Sequence, residues 1–354
     1  MLYQSKNPHG GDLYSRPIRL DFSANTNPFG TPDSVKQALL DCADLLHQYP
    51  DPYCRELVAA IADFEALPKE QILCGNGAAD LIFAFCQAVK PKRALELAPT
   101  FSEYSAAMDS VGCQVERYVL REDEDFTLTE DFLLYLQQGQ WDVLFLCNPN
   151  NPTGQTIPSE LLEKIADLCH KKGIWLFLDE CFQDLTDEMT AYSMKHRLSE
   201  NSSLFILKAF TKSYGMAALR LGYGLCGNTE LLAAMSRSVQ SWNVSLPAQK
   251  AGIAALNEVD FLRRTREMIQ QERTWLKEQL TQLDCRVIPS QANYLFFHSE
   301  DNLYEELLKQ GIQIRDCSNY HGLSKGWYRA AVKLQQQNHE LIEALRSIKE
   351  RMGE

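Results

Sequence analysis

The chain has 354 residues, 45% hydrophobic and 23% charged, which fits a large lobe plus a smaller one around a substantial core and excludes a disordered or fibrous protein. Its net charge of −12 argues against a nucleic-acid partner, because phosphate backbones are bound by clustered Lys and Arg that this chain lacks. Eleven cysteines lie far apart with no C-x-x-C pair, so free core thiols in a reducing cytoplasm are expected and a metal cluster is not.

Residues 1–6 have no apolar core of a signal peptide behind them, and no apolar run is long enough to span a bilayer; a cytoplasmic protein with no membrane partner is expected. Residues 1–30, rich in Pro, Gly and Asn, read as an extended arm with tight turns, including His9-Gly10-Gly11 and Asn25-Thr26-Asn27-Pro28. Helical spacing of Val35, Ala38, Leu39 and Leu46 predicts a helix from residue 32, and a second follows over 55–65 after the turn Tyr49-Pro50-Asp51-Pro52. Strands are predicted at 71–74, 93–97, 114–119, 143–147, 174–178, 204–207 and 223–226, with helices at 78–89, 101–110 and 159–170 between them. Runs that are apolar throughout and separated by helices belong to a mostly parallel sheet covered on both faces. Beyond residue 245 the pattern changes to a long charged helix at 260–283, strands at 285–288 and 294–297, and helices at 303–310 and 339–351. The expected organisation is an N-terminal arm (1–30), a large α/β lobe (31–245) and a small α+β lobe (246–354), without internal repeats.

Four loops at strand ends carry residues suited to chemistry, because an open α/β sheet binds its ligands there. Gly75-Asn76-Gly77-Ala78-Ala79-Asp80 follows a strand and opens a helix, so its backbone N–H groups can hold an anion; a plain glycine turn has the same composition. In Asn148-Pro149-Asn150-Asn151-Pro152-Thr153-Gly154 the prolines fix a turn from which Asn151 can donate to a ligand oxygen. Asp179 ends an apolar strand, where a carboxylate needs a cation: a protonated pyridine nitrogen, an arginine, or a helix N-cap in its place. Lys212 sits between an apolar run and Arg220, eight positions on. Burial and a neighbouring cation favour the neutral, nucleophilic amine, and the arginine fork can grip a phosphate, which suggests a pyridoxal phosphate site.

With these strings in this order, the chain resembles the fold-type I pyridoxal-phosphate enzymes of the aminotransferase class over nearly its whole length. The resemblance implies a large α/β domain with a mostly parallel sheet, a small α+β C-terminal domain, and pyridoxal 5'-phosphate as cofactor. It implies that Lys212 joins the cofactor as a Schiff base and later moves a proton, that Asp179 pairs the pyridine nitrogen, and that Asn151 bonds the ring phenolic oxygen. By the same resemblance Tyr104 stacks on the ring, Gly77, Ala78, Ala79, Thr211 and Arg220 cradle the phosphate, and Tyr49 reaches the phosphate of the neighbouring subunit of a homodimer. Two positions depart from the pattern. Phe182 stands where many relatives have Tyr, and Ala209 where they have Ser or Thr; each loses a hydrogen bond worth about 0.5 to 1.5 kcal/mol net.

Two branches of the class fit, and both handle amino compounds bearing a phosphate: histidinol-phosphate aminotransferases and the L-threonine O-3-phosphate decarboxylases of cobalamin synthesis. The arm, with His9-Gly10-Gly11 and residues 20–28, Phe182, residues 315–320 and Trp327-Tyr328-Arg329 are similar to the decarboxylases, with the aminotransferase as the alternative. That resemblance implies a small phosphorylated amino acid as substrate, held by His9, Asn27, Asn151, Arg315 and Arg329; which arginine takes which anion is open. A non-catalytic protein that senses the cofactor is a third reading, against which Lys212, Asp179 and Asn151 all stand intact.

Overall fold

The computed structural model describes residues 9–188 and 192–353; the expectation of no signal segment over residues 1–6 lies outside them. The large lobe holds α1 (Asp33–Asp41), α2 (Arg55–Glu65), β2 (Ile72–Gly75), α3 (Ala78–Val89), β3 (Arg93–Ala98), α4 (Glu103–Ser110), β4 (Gln114–Val119), α5 (Asp131–Gln138), β5 (Val143–Cys147), α6 (Ser159–Lys172), β6 (Trp175–Asp179), β7 (Leu204–Ala209), α7 (Phe210–Ser213), β8 (Gly222–Cys226) and α8 (Thr229–Ser238). Its seven strands are ordered β2-β8-β7-β6-β5-β3-β4, with β8 antiparallel to both neighbours and the pairs from β7 through β4 parallel. The central strands β5, β6 and β7 are apolar on both sides because helices cover both faces, and Phe85, Phe145, Phe177 and Phe205 interlock beneath one of them.

The small lobe contains α9 (Leu246–Leu256), α10 (Val259–Gln282), β9 (Arg286–Ile288), β10 (Tyr294–His298), α11 (Leu303–Lys309), β11 (Ile312–Gln313), β12 (Arg315–Asp316), β13 (Trp327–Ala331) and α12 (Gln335–Gly353). Its antiparallel sheet runs β12-β13-β10-β9. Helix α9 opens the segment assigned from sequence to this lobe, yet it packs on α1 and α2, burying Ala248, Ala251 and Ala255. Its uniform run of small residues gives little periodicity, which hid the helix from pattern reading. α5 and α8 were also not expected from sequence, although Gly139 closes the first and Asn228 caps the start of the second, its side chain accepting the Leu231 N–H.

The arm is less free than its composition suggests. β1 (Leu20–Asp21) pairs in parallel with β11, and Leu20 and Phe22 are buried in the core of the small lobe. The arm therefore belongs structurally to the C-terminal half of the chain. Among the described residues no helix is long and apolar enough to cross a membrane.

Candidate active site

The carboxyl ends of β2, β3, β5, β6 and β7 open on one edge of the large sheet, and antiparallel β8 begins there, with Gly222 in register with both Gly75 and Ala209. The loops leaving those ends face the arm and the strands β12 and β13 across a cleft of about 410 Å³. Of the residues singled out from sequence, His9, Ala78, Ala79, Asn151, Asp179, Thr211, Lys212, Arg220, Arg315 and Arg329 all line it, as do Phe182 and Ala209.

Lys212 lies in α7, directly after β7. Burial first, then the positive charge of Arg329, push the pKa of its amine down to about 8; Cys181 opposes this, Arg220 adds to it, and Asp179 opposes it least. Its Nζ stands 5.8 Å over the Phe182 ring, so the position where relatives carry a hydroxyl here supplies a flat apolar wall. Both ends of the lysine segment are tied to one carboxylate: Lys208 Nζ donates to Asp184 Oδ1 at 2.7 Å and Ser213 Oγ to Asp184 Oδ2 at 3.1 Å. Lys208 also lies 3.8 Å from the buried Glu65. Lys208→Met keeps the volume but leaves the buried Asp184 without its cation, while Glu65 keeps Lys195 at 2.9 Å, so urea unfolding of the apo protein should show a loss of about 3 to 5 kcal/mol. A loss below 1 kcal/mol would mean the network is not held by Lys208.

Asp179 closes β6 opposite Cys147 and Leu207. Its Oδ1 accepts the Cys181 backbone N–H at 2.9 Å and its Oδ2 the Tyr104 hydroxyl at 2.5 Å. Burial raises its pKa, against the lowering by those hydrogen bonds and by Lys212. Among the described residues no basic group lies within ion-pair distance of it. A buried carboxylate on the floor of a cleft, lacking a protein cation, fits a positively charged ring nitrogen.

Tyr104, expected to stack on the cofactor ring, does not line the cleft. It is fully buried behind Asp179, stacked on Phe145 at 5.3 Å, and Phe101 takes the place in the cleft wall. The two rings meet edge to face, so Tyr104 braces Phe101 from behind while its hydroxyl fixes the carboxylate.

Of the residues expected at the cofactor phosphate, Ala78, Ala79, Thr211 and Arg220 line the cleft together. Gly77 has φ +85°, and a Cβ there would come within 2.7 Å of the Arg220 guanidinium, so only glycine lets that cation close over the start of α3. The first N–H groups of α3, the Thr211 hydroxyl and Arg220 together make an anion site. Thr211 supplies a hydroxyl near the position that Ala209 leaves bare. Lysine, aspartate, cradle and the Phe101 wall therefore fit pyridoxal phosphate in every part.

On the opposite wall Arg329 and Arg315 are cross-strand partners on β13 and β12, facing the same side. Arg329 is buried, donating to Asn151 Oδ1 and, at 2.7 Å, to the Ser23 carbonyl. Asn151 thus presents its amide nitrogen to a ligand oxygen. Arg315 donates to Asn319 Oδ1 at 2.7 Å and to the Asp316 carbonyl at 2.6 Å. His9 Nε2 meets Glu103 Oε1 at 2.7 Å.

One further expectation needs restating. Asn27, expected at the substrate, is outside the cleft: its Nδ2 donates to the Ser213 carbonyl at 2.7 Å and to Thr265 Oγ1 at 3.1 Å, which ties the arm to the lysine segment. Asn25 lines the cleft instead, with a buried Oδ1 that has no hydrogen-bond partner in the protein. No periodicity separates positions 25 and 27 in an irregular arm, so only the fold could choose between them. Tyr49, expected to reach the neighbouring subunit's site, lies away from this cleft, 79% exposed, with its ring tilted against that of Trp242 at 4.6 Å.

The sequence profile of the aminotransferase class I and II family matches residues 17–345. The threonine-phosphate decarboxylase of Salmonella typhimurium (strain LT2) is 39% identical over 352 residues, covering 96% of each chain. The solved histidinol-phosphate aminotransferase of Clostridium acetobutylicum superposes with a TM-score of 0.87 at 29% identity, over 94% of this chain and 99% of that one. That of Sinorhizobium meliloti, in complex with pyridoxal-5'-phosphate, shares the fold at a TM-score of 0.84 and 20% identity, over 94% of this chain and 93% of that one.

Proposed function

Because the chain belongs to the aminotransferase class I and II family, whose cofactor is pyridoxal 5'-phosphate, we propose that it is a lyase that decarboxylates L-threonine O-3-phosphate, or serine phosphate, to the aminoalkyl phosphate and CO₂. The observation that carries this reading is the register of Arg315 with Arg329: two guanidinium forks on one face suit a small substrate with two anionic groups. Identity of 39% with a threonine-phosphate decarboxylase over nearly the full length of both chains supports the choice within the family.

When bound, the cofactor supplies an electron sink for the pair released when a bond at the substrate α-carbon breaks. Lys212, its amine lowered by burial and by two arginines, is the nucleophile that holds the cofactor and afterwards the group that carries a proton to the α-carbon in place of the departing carboxylate. Asp179, held by Tyr104 and Cys181, keeps positive charge at the ring nitrogen. Arg329, which lies close enough to lower the lysine amine, takes the carboxylate; Arg315 and His9, nearer the mouth, take the phosphate. Which bond at the α-carbon breaks would be set by where Arg329 and Arg315 hold the substrate's two anionic groups: loss of the carboxylate would give CO₂, whereas loss of the α-proton would lead to transamination.

The reading extends to a cytoplasmic homodimer. All eleven cysteines are buried free thiols, as a reducing compartment allows. Tyr49, Tyr53 and Leu46 stand exposed on one stretch beside Trp242, a surface suited to a second copy whose phosphate site Tyr49 would reach. Incubating the holoenzyme with L-threonine O-3-phosphate and no keto acid should release CO₂ and aminopropanol phosphate in equal amounts. Turnover that appears only on adding 2-oxoglutarate would assign the chain to transamination instead.

A further inference from the structure

Besides the tie from Asn27 to the lysine segment, the arm meets the large lobe at a polar contact in the wall of the cleft, between His9 and Glu103. The arm is fastened to the small lobe by β1 with β11, and its Ser23 is tied there by the Gln313 side chain at 3.1 Å and by Arg329. Residues 9–11 fold back on that same Ser23. Gly10 lies so close that a Cβ would come within 2.4 Å of the Ser23 carbonyl oxygen, and the Gly11 N–H donates to Ser23 Oγ at 2.7 Å. This fold-back delivers His9 across the cleft to Glu103, the first residue of α4 in the large lobe, with its ring 5.8 Å from that of Phe101. Arg329, Ser23, Gly10, His9 and Glu103 thus form one connected path from the small lobe, past the cleft, to the large lobe. Both His9 and Glu103 side chains are about a third exposed or less, at 35% and 23%, so they can meet a ligand without leaving the wall.

We propose that Glu103 is a positioning residue for substrate: it fixes His9 as a latch between the lobes, so that the imidazole stands in place for the substrate's phosphate. Nothing in the chemistry of the lysine, aspartate or cradle requires a carboxylate at 103. Its position at the start of α4, pointing to the arm and not to Lys212, gives it no access to the reacting bond. Its work is done through His9, so its contribution exists only while His9 is there. The proposal rests on the reading of a phosphate-bearing substrate given above.

A double-mutant cycle separates this role from plain stability. Calorimetric binding of L-threonine O-3-phosphate to wild type, His9→Ala, Glu103→Ala, Glu103→Gln and the His9→Ala/Glu103→Ala double variant needs no turnover. Each single alanine variant should weaken binding by about fivefold to tenfold, the range of one partly exposed charge-assisted hydrogen bond, and the double variant should bind no more weakly than His9→Ala. Glu103→Gln, which keeps an acceptor for the ring N–H, should recover part of the loss. In the steady state KM should rise by the same factor while kcat changes far less. Additive losses in the double variant, or unchanged binding in Glu103→Ala, would overturn the latch. Wild type that binds the phosphate ester but releases no CO₂ would sink the decarboxylase reading and leave the latch to be judged from the cycle.

Discussion

Lys212→Ala protein is expected to release CO₂ at least about 10⁴-fold more slowly than wild type, because it loses both the nucleophile and the positioned proton carrier, the latter alone worth about 10² to 10⁴. Borohydride should fix pyridoxal phosphate to wild type and leave none on the variant, which separates covalent retention from ordinary binding at the cradle. The pH dependence follows from the same group. The neutral amine attacks the cofactor aldehyde, and the amine is protonated below its pKa of about 8. Capture of the cofactor by apo protein should therefore speed up as pH rises and level off above about 8, where an ordinary lysine would go on accelerating toward about 10.4. Stopped-flow absorbance over that range reads the midpoint directly. A midpoint near that of an exposed lysine would show that Arg329 and the burial of Lys212 do not act on the amine as the geometry requires.

Asp179→Asn should cost about 30- to 3000-fold in kcat, corresponding to about 2 to 5 kcal/mol for a buried charge left without its counter-charge. The amide preserves the shape and can still accept the Cys181 N–H, so the loss isolates the carboxylate's charge from its packing. Tyr104→Phe is the control. It removes one neutral donor to the same carboxylate, worth about 0.5 to 1.5 kcal/mol, and should slow the reaction only about threefold to tenfold. Equal losses in the two variants would mean that Asp179 serves as a structural acceptor and carries no charge role. Steady-state rates at saturating cofactor distinguish these cases, since both variants leave Lys212 in place.

How far the sequence foretold this site depended on what kind of constraint each residue answers to. Lys212, Asp179, Asn151 and the Gly77 loop sit at strand ends, and apolar runs of four to six residues mark strand ends well. The parallel order of β7 through β3 then brings those ends to one edge, which is why residues picked from separate strings lie together in one cleft. Tyr104 and Phe101 were harder. Both are aromatic, three positions apart, and only the register of α4 against β5 decides that Tyr104 turns inward onto Phe145 while Phe101 faces the cleft. The arm was hardest, because its irregular backbone carries no period. Asn27 proved to serve the lysine segment and Asn25 the cleft, and the contact from His9 to Glu103 joins residues 94 positions apart, beyond any local pattern. The boundary helix α9 failed for a related reason: an alanine-rich face reveals its partner only when α1 and α2 are in place.

The pairing of Gly222 with Gly75 on one side and Ala209 on the other has a metric meaning. It links β2, which leads to the start of α3, to β7, which leads into the helix carrying Lys212, through a single intervening strand, so the spacing between those strand ends is set by hydrogen-bonded backbone. The cleft is in effect a gauge of fixed length, with an anion seat at one end and an amine at the other. A molecule with the right aldehyde but no anionic tail engages one end only, and one with a longer tether between the two groups cannot seat both. A cofactor with an aldehyde and an anionic tail would thus be measured for length by the sheet itself.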